Sequence, residues 1–134
     1  FEAGTPPIAQ AIGLRAAIQY VSELGFDRII GHEQDLLRYG TKSLETVEGL
    51  QLLGNAQNKA AIFSFIVEGT HPFDLAAILD RQGVAVRVGQ HCAEPLMDRL
   101  GVENAVRASL ALYNSHDDID ALVTAIEKAK RMLN

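Results

Sequence analysis

Hydrophobic residues recur with two different periods along this chain, and the first to appear is helical. After Ile8, the residues Leu14, Ile18 and Val21 fall at positions i, i+4 and i+7. This spacing predicts an amphipathic helix with one apolar face, and Gly25 is a typical residue for its end. The chain before Ile8 is rich in glycine and proline and is therefore expected to be extended or looped.

Four further helices are predicted by the same period and by capping residues. Residues 26–47 place apolar side chains seven residues apart on one face. A proline suits the first turn of a helix, which favours a helix from Pro72 to Gly83 and a short one over 95–100. Ser115 and Asp118 resemble a capping box at the start of the last helix, with aspartate in place of the usual Glu or Gln.

Extended segments follow an alternating or continuous apolar pattern. Val84 to Val88 alternates, so its three valines face one way and Arg87 faces the other. In Ala105 to Leu110, Arg107 lies in the same way opposite the apolar residues. Two more strands are predicted over 50–53 and 60–67. The order of elements is then helix-helix-strand-strand-helix-strand-strand-helix, if the short helix over 95–100 is left out. This order predicts an α+β fold with helices packed on a small mixed or antiparallel sheet.

Composition restricts the possible functions. The chain has 134 residues, and its 12 Lys+Arg against 17 Asp+Glu leave a net charge of −5, which argues against nucleic-acid binding. No apolar run approaches the roughly 18–20 residues of a membrane span, so no membrane partner is expected. The single cysteine forms no internal disulfide and favours a cytoplasmic location. Four scattered histidines lack metal-ligand spacing, so no metal site is expected.

The single cysteine, Cys92, is the strongest candidate for chemistry. It follows Gly89 and His91 in a loop, with the cation Arg87 upstream. A thiol is a good nucleophile only as thiolate, and cationic neighbours favour that form. Arg87 and Arg107 near a reactive thiol suggest a small anionic substrate such as an amino acid, because guanidinium binds carboxylates in a bidentate way. The competing interpretations are a buried structural cysteine and two solvated arginines.

Other polar residues give weaker signals. His91 could exchange a proton with the thiol, although side chains of adjacent residues often point apart. Gly4 and Thr5 could present a backbone N–H and a hydroxyl to a phosphate. His71, which precedes a helix-start proline, is expected to cap that helix, and His116 is expected on the surface.

Three segments of the chain resemble one enzyme family. Residues 87–96 follow the pattern Arg-x-Gly-x-His-Cys-Ala-x-Pro-Leu, residues 106–115 contain Arg-Ala-Ser and Tyr-Asn-Ser, and residues 1–6 are Phe-Glu-Ala-Gly-Thr-Pro. In this order they resemble the group II cysteine desulfurases of the SUF and CSD type, which are related to selenocysteine lyases. One departure is Gln90, where many members have a histidine.

The resemblance implies the aspartate aminotransferase fold of enzymes that use pyridoxal phosphate. Residues 8–134 would be the C-terminal small domain that carries the catalytic cysteine loop. Residues 1–7 would be a segment directed toward the cofactor of the neighbouring subunit in a homodimer, where Thr5, next to Gly4, would reach the phosphate. The lysine that binds the cofactor would lie upstream of Phe1, so this chain by itself is expected to be inactive.

The resemblance also implies an activity and roles for the site residues. Cys92 would attack the sulfur of L-cysteine, which yields L-alanine and a persulfide for a sulfur-acceptor protein in iron–sulfur cluster biogenesis or another sulfur pathway. Arg107 would hold the substrate carboxylate, Arg87 would help to orient the substrate or the loop, and His91 would also belong to the substrate-binding residues. A selenocysteine lyase or cysteine-sulfinate desulfinase is one alternative. A non-enzymatic sulfur-relay or interaction module is another.

Overall fold

A computed structural model describes residues 3–54 and 56–133 of the chain. Phe1 and Glu2 of the predicted opening segment, Asn55 and Asn134 lie outside the described residues. The chain divides into two compact units, Phe1–His32 and Glu33–Asn134. The functional division between residues 7 and 8 stays a prediction. Within the described ranges, no helix combines the length and apolar character needed to cross a bilayer.

The first unit contains the helix predicted after Ile8. Helix α1 covers Ile8–Leu24, and Gly25 ends it at a φ of 87°, with its N–H donating to the carbonyl of Val21. Only glycine adopts such a positive φ at little cost, so the predicted helix and its end are both confirmed. The predicted apolar face is nevertheless exposed, since Leu14 is 61% and Ile18 57% accessible among the described residues.

The second unit is an α+β layer, as predicted, and its sheet is antiparallel throughout. The sheet has four strands in the order β1-β2-β4-β3, and each neighbouring pair is antiparallel. Helix α2, which begins in the first unit, precedes the sheet. In chain order the elements are α2 (Phe26–Glu45), β1 (Leu50–Leu53), β2 (Ile62–Val67), α3 (Pro72–Arg81), β3 (Arg87–Gly89), α4 (Glu94–Leu100), β4 (Ala105–Ser109) and α5 (His116–Leu133).

The sheet has one face in the hydrophobic core, which we call the core face. Phe63, Phe65 and Val106 on this face are fully buried, and they belong to one cluster with residues of α2, α3 and α5. Burial of each large apolar side chain contributes about 1.5–3 kcal/mol, so this cluster stabilises the unit. Gly40 of α2 allows the closest approach, because a Cβ there would lie 2.5 Å from Cζ of Phe63.

The alternate residues of the same strands form the opposite face, which we call the open face. Phe63 pairs with Ala108 and Phe65 with Val106, so the residues between them, Ser64 and Arg107, oppose each other on the other face. Strand alternation predicts this orientation for Arg107, and the structure confirms it. The open face includes Ile62, Ser64, Arg87, Arg107 and Ser109.

One strand is shorter than its sequence pattern predicts. Only Arg87–Gly89 of the alternating segment 84–88 pairs with β4 and forms β3. The N–H of Val84 donates to the carbonyl of Leu79 at 3.0 Å, which ties this end of the segment to the end of α3. Residues 84–86 and residues 108–110 line the same cavity of about 270 Å³, and the ladder between β3 and β4 begins only at Arg87.

The start of α5 is held by its cap and by contacts with α2. The N–H of Ser115 donates to Oδ2 of Asp118 at 2.9 Å, which confirms the half of the predicted capping box in which the aspartate side chain accepts. His116 is exposed as expected, but Nε2 of its ring lies 2.7 Å from Oδ2 of Asp35 on α2. Its ring also stacks on Tyr39 at a centroid distance of 4.1 Å. The hydrogen bond from His116 lowers the pKa of Asp35 below its usual value.

Candidate active site

An open cleft of about 500 Å³ lies where β3 meets β4 and the loop that follows β3. The cleft brings together four residues that the sequence singles out on three elements. Arg87 comes from β3, Arg107 from β4, and His91 and Cys92 from the loop. Among the described residues, the cleft is lined by Val86, Arg87, Val88, His91, Cys92 and Arg107.

The two arginines lie directly opposite each other, since Arg87 and Arg107 are register partners in the β3–β4 ladder. Side chains at such positions have Cβ atoms only about 4.5–5.5 Å apart, and like charges there are destabilising. The cleft is therefore cationic although the whole chain carries a net charge of −5. Such an arrangement favours a bound anion, because an anion relieves the repulsion.

Arg107 adds a second unfavourable feature to this pair of charges. Its Nε atom is buried and has no hydrogen-bond partner among the described residues. A buried donor without a partner costs about 1–3 kcal/mol, so native structures rarely leave one without a reason. A carboxylate accepts two parallel N–H bonds from guanidinium, which makes a small carboxylate a suitable ligand at this point.

The loop between β3 and α4 presents the thiol in an unusual backbone conformation. His91 and Cys92 have φ values of 56° and 58°, in the left-handed region. This region costs about 1–2 kcal/mol for each residue with a Cβ, and two consecutive residues there are uncommon. Cys92 is exposed, so the interpretation of the cysteine as a buried structural residue is wrong. Strained backbone of this kind is typical of functional sites.

The ring of His91 is directed back to the sheet. Its Nε2 lies 3.0 Å from the carbonyl oxygen of Ala105, which is the register partner of Gly89. A carbonyl only accepts, so Nε2 carries the proton. Burial lowers the pKa of His91 below its usual 6.5, and the charges of Arg107 and Arg87 lower it further, although the bond to Ala105 opposes the shift. The ring is therefore neutral at neutral pH, with Nδ1 unprotonated.

The remaining predicted site residues, Gly4 and Thr5, lie in the first unit. Both are exposed, and Gly4 has a φ of 90°. An exposed hydroxyl after a glycine in this conformation fits the role of a phosphate ligand, and that role stays a prediction.

The expected cap at His71 is wrong in its detail: the residue occupies the N-cap position, but its side chain makes no capping hydrogen bond.

Two residues next to the cleft escape the sequence patterns. Ser64 is the register partner of Arg107 on the side away from Arg87. Its only signal is a polar residue at an alternate position of an otherwise apolar strand. Ala105 contributes its backbone carbonyl to His91, and no side-chain pattern predicts a backbone acceptor.

The fold and the cleft together define an α+β domain with an exposed thiol beside two opposed arginines. The sequence profile of the class-V aminotransferases matches residues 1–122. The chain therefore belongs to the class-V aminotransferase family.

Individual relatives are more specific. The chain is 52% identical over 133 residues to a probable cysteine desulfurase of Xylella fastidiosa strain Temecula1. This match covers 99% of this chain and 32% of that protein. The cysteine desulfurase CsdA of Escherichia coli, solved with an S-sulfonic acid, has a TM-score of 0.91 at 34% identity, over 100% of this chain and 33% of that one. The apo cysteine desulfurase of Thermococcus onnurineus NA1 has a TM-score of 0.90 at 41% identity. The match covers 98% of this chain and 33% of that one. This chain thus spans about a third of these relatives.

Proposed function

We propose that this chain is the C-terminal part of a cysteine desulfurase, which converts L-cysteine to L-alanine and leaves the sulfur on Cys92 as a persulfide. The observation that carries the proposal is the cleft itself. In it Arg107 lies opposite Arg87 and beside an exposed thiol, and its buried Nε has no partner in the described part of the chain. The site is thus suited to an anionic substrate with a group that a thiolate attacks. The similarity to enzymes named cysteine desulfurase supports the same reaction.

The arginines of the cleft bind and orient the substrate in this proposal. Arg107 holds the carboxylate of L-cysteine in a bidentate way and supplies its buried Nε–H to that group. Arg87, which is exposed on the edge strand β3, orients the substrate from the opposite side. His91 lines the same cleft.

Cys92 then takes the sulfur. Its thiolate forms an S–S bond with the substrate sulfur as the bond between that sulfur and carbon breaks, and the carbon gains a proton to become alanine. Pyridoxal phosphate, when bound, withdraws electrons from the substrate and so weakens the carbon–sulfur bond. Gly4 and Thr5 would hold its phosphate in the neighbouring subunit of a homodimer, which the exposed Thr5 and the conformation of Gly4 permit.

The persulfide is handed to a second protein in this proposal. Cys92 is exposed and lies in a loop on the edge of the sheet, where another protein can approach it. The acceptor would carry the sulfur to iron–sulfur cluster assembly or another sulfur pathway in the cytoplasm.

The experiment that tests the function is a comparison of Cys92→Ser with the unchanged full-length protein loaded with pyridoxal phosphate. We expect alanine production from L-cysteine to fall to the background rate, because an alcohol does not accept the sulfur. Ser109→Ala, an exposed position of the open face that does not line the cleft, serves as the control and keeps its activity. Full turnover by Cys92→Ser would overturn the proposal.

A further inference from the structure

The cysteine loop returns to the sheet through one side chain. After Gly89 leaves the ladder, the chain turns, and the N–H of Ala93 donates to the carbonyl of Gln90 at 3.0 Å within the loop. The bond from Nε2 of His91 to the carbonyl of Ala105 is the side-chain hydrogen bond that joins residues 90–93 to β4 in the part of the chain that is described. Ala105 is also the ladder partner of Gly89, so this bond ties His91 to the same residue that pairs with the last residue of β3.

We propose that His91 is a positioning residue: by donating from Nε2 to the carbonyl of Ala105, it holds the loop in the left-handed conformation that presents Cys92 to the cleft. His91 precedes Cys92 directly, and both residues have a positive φ. Fixing the ring of one therefore fixes the backbone from which the thiol of the other projects. In this role the ring acts through Cys92 and does not itself transfer a proton.

The surroundings of the ring agree with this role. The charged groups that face it are Arg87 of β3 and Arg107 of β4, and both disfavour a second positive charge on the ring. A neutral ring with its proton on Nε2 donates to a carbonyl in a single, well-defined orientation. A ring that alternated between charge states would hold the loop less uniformly.

Hydrogen exchange of the loop amides tests the positioning role without reference to activity. Full-length protein is compared with His91→Ala, which removes the donor, and with His91→Gln, whose side-chain N–H reaches a similar distance. We expect exchange of the amides of residues 90–94, 96 and 97 to become about tenfold faster in His91→Ala, the change that loss of one hydrogen bond produces, and to stay near the original rate in His91→Gln. Gln90→Ala, in the same loop, is the matched control. Equal exchange in all four proteins would overturn the proposal.

Kinetics with L-cysteine form a second arm, which rests on the proposed function. We expect His91→Ala to lower kcat about tenfold to a hundredfold with little change in KM, since a misplaced nucleophile slows the chemical step. His91→Gln restores most of the rate, and the pH profile keeps its shape. A raised KM would instead assign His91 to substrate binding. A rate in His91→Gln as low as in His91→Ala, with a lost limb of the pH profile, would assign it to proton transfer. Either result overturns the positioning role.

The two arms separate the failure of this inference from that of the proposed function. If the unchanged full-length protein forms no alanine, the desulfurase assignment fails, while the exchange rates still decide whether His91 holds the loop. If the protein is active and exchange is the same in His91→Ala as in the unchanged protein, only the positioning role fails.

Discussion

The core face and the open face of the sheet consist of alternate residues of the same strands, yet they differ in apolar packing and in charge. On the core face Phe63, Phe65 and Val106 are fully buried in one apolar cluster. On the open face Arg87 and Arg107 oppose each other, and the buried Nε of Arg107 has no partner within residues 3–54 and 56–133. Burial on the core face stabilises the folded state, whereas the opposed charges on the open face destabilise it.

This difference shows how a small domain separates stability from binding. Because successive side chains of a strand point to opposite faces, one strand such as β4 supplies both the apolar Val106 and the cationic Arg107. The unfavourable pair of charges is tolerated because the neighbouring residues on the core face stabilise the strand. An anion bound beside the two arginines relieves their repulsion, and this relief contributes to the binding free energy.

The largest expected effect comes from the open face. Arg107→Met keeps much of the aliphatic stem and removes the guanidinium. We expect kcat/KM of the full-length protein for L-cysteine to fall about a thousandfold, equivalent to about 4 kcal/mol, because the substrate carboxylate loses its partner. The free energy of unfolding, measured in urea, should not decrease, since the opposed charge and the unpartnered Nε are removed together. A clear loss of stability would contradict the separation of the two faces.

A smaller effect is expected from the close contact behind the core face. Gly40→Ala places a Cβ 2.5 Å from Cζ and 2.8 Å from Cε2 of Phe63. Overpacking costs about 1–3 kcal/mol and outweighs the gain in helix propensity, so the free energy of unfolding should fall. The matched control is Gly31→Ala in the same helix, where a Cβ meets nothing within 4 Å among the described residues. This control should gain up to about 1 kcal/mol. Equal effects of the two changes in urea unfolding would show that the contact is not tight.

The smallest expected effect is a dependence of stability on pH at the edge of the open face. Because folding lowers the pKa of His91 below 6.5, the unfolded chain binds more protons between the folded pKa and 6.5. The free energy of unfolding should therefore decrease as the pH falls below 6.5 and level off below the folded pKa. His91→Gln has no titrating ring and should lack this part of the decrease when urea unfolding is compared at about pH 7.5 and about pH 5. An equal or steeper decrease in His91→Gln would contradict the lowered pKa of His91.

Features that depend on neighbouring residues could be derived from the pattern alone. The helix before Gly25, the cap formed by Ser115 and Asp118, and the opposite orientation of Arg107 and the apolar residues of its strand all agree with the structure. Each rests on the local period of a helix or strand, or on a hydrogen bond between residues a few positions apart. The α+β class follows from the same patterns, because it depends only on the kind and order of the elements.

Features that depend on distant contacts required the folded structure. The register that sets Arg87 against Arg107, the burial of Nε and the bond from His91 to Ala105 join separate elements, and no local pattern specifies which residues meet. The shortening of β3 has the same origin, because the tie between Val84 and α3 competes with the ladder. Alternation along a strand assigns each residue to a face, whereas pairing between strands decides its neighbours, and the chemistry of this cleft depends on those neighbours.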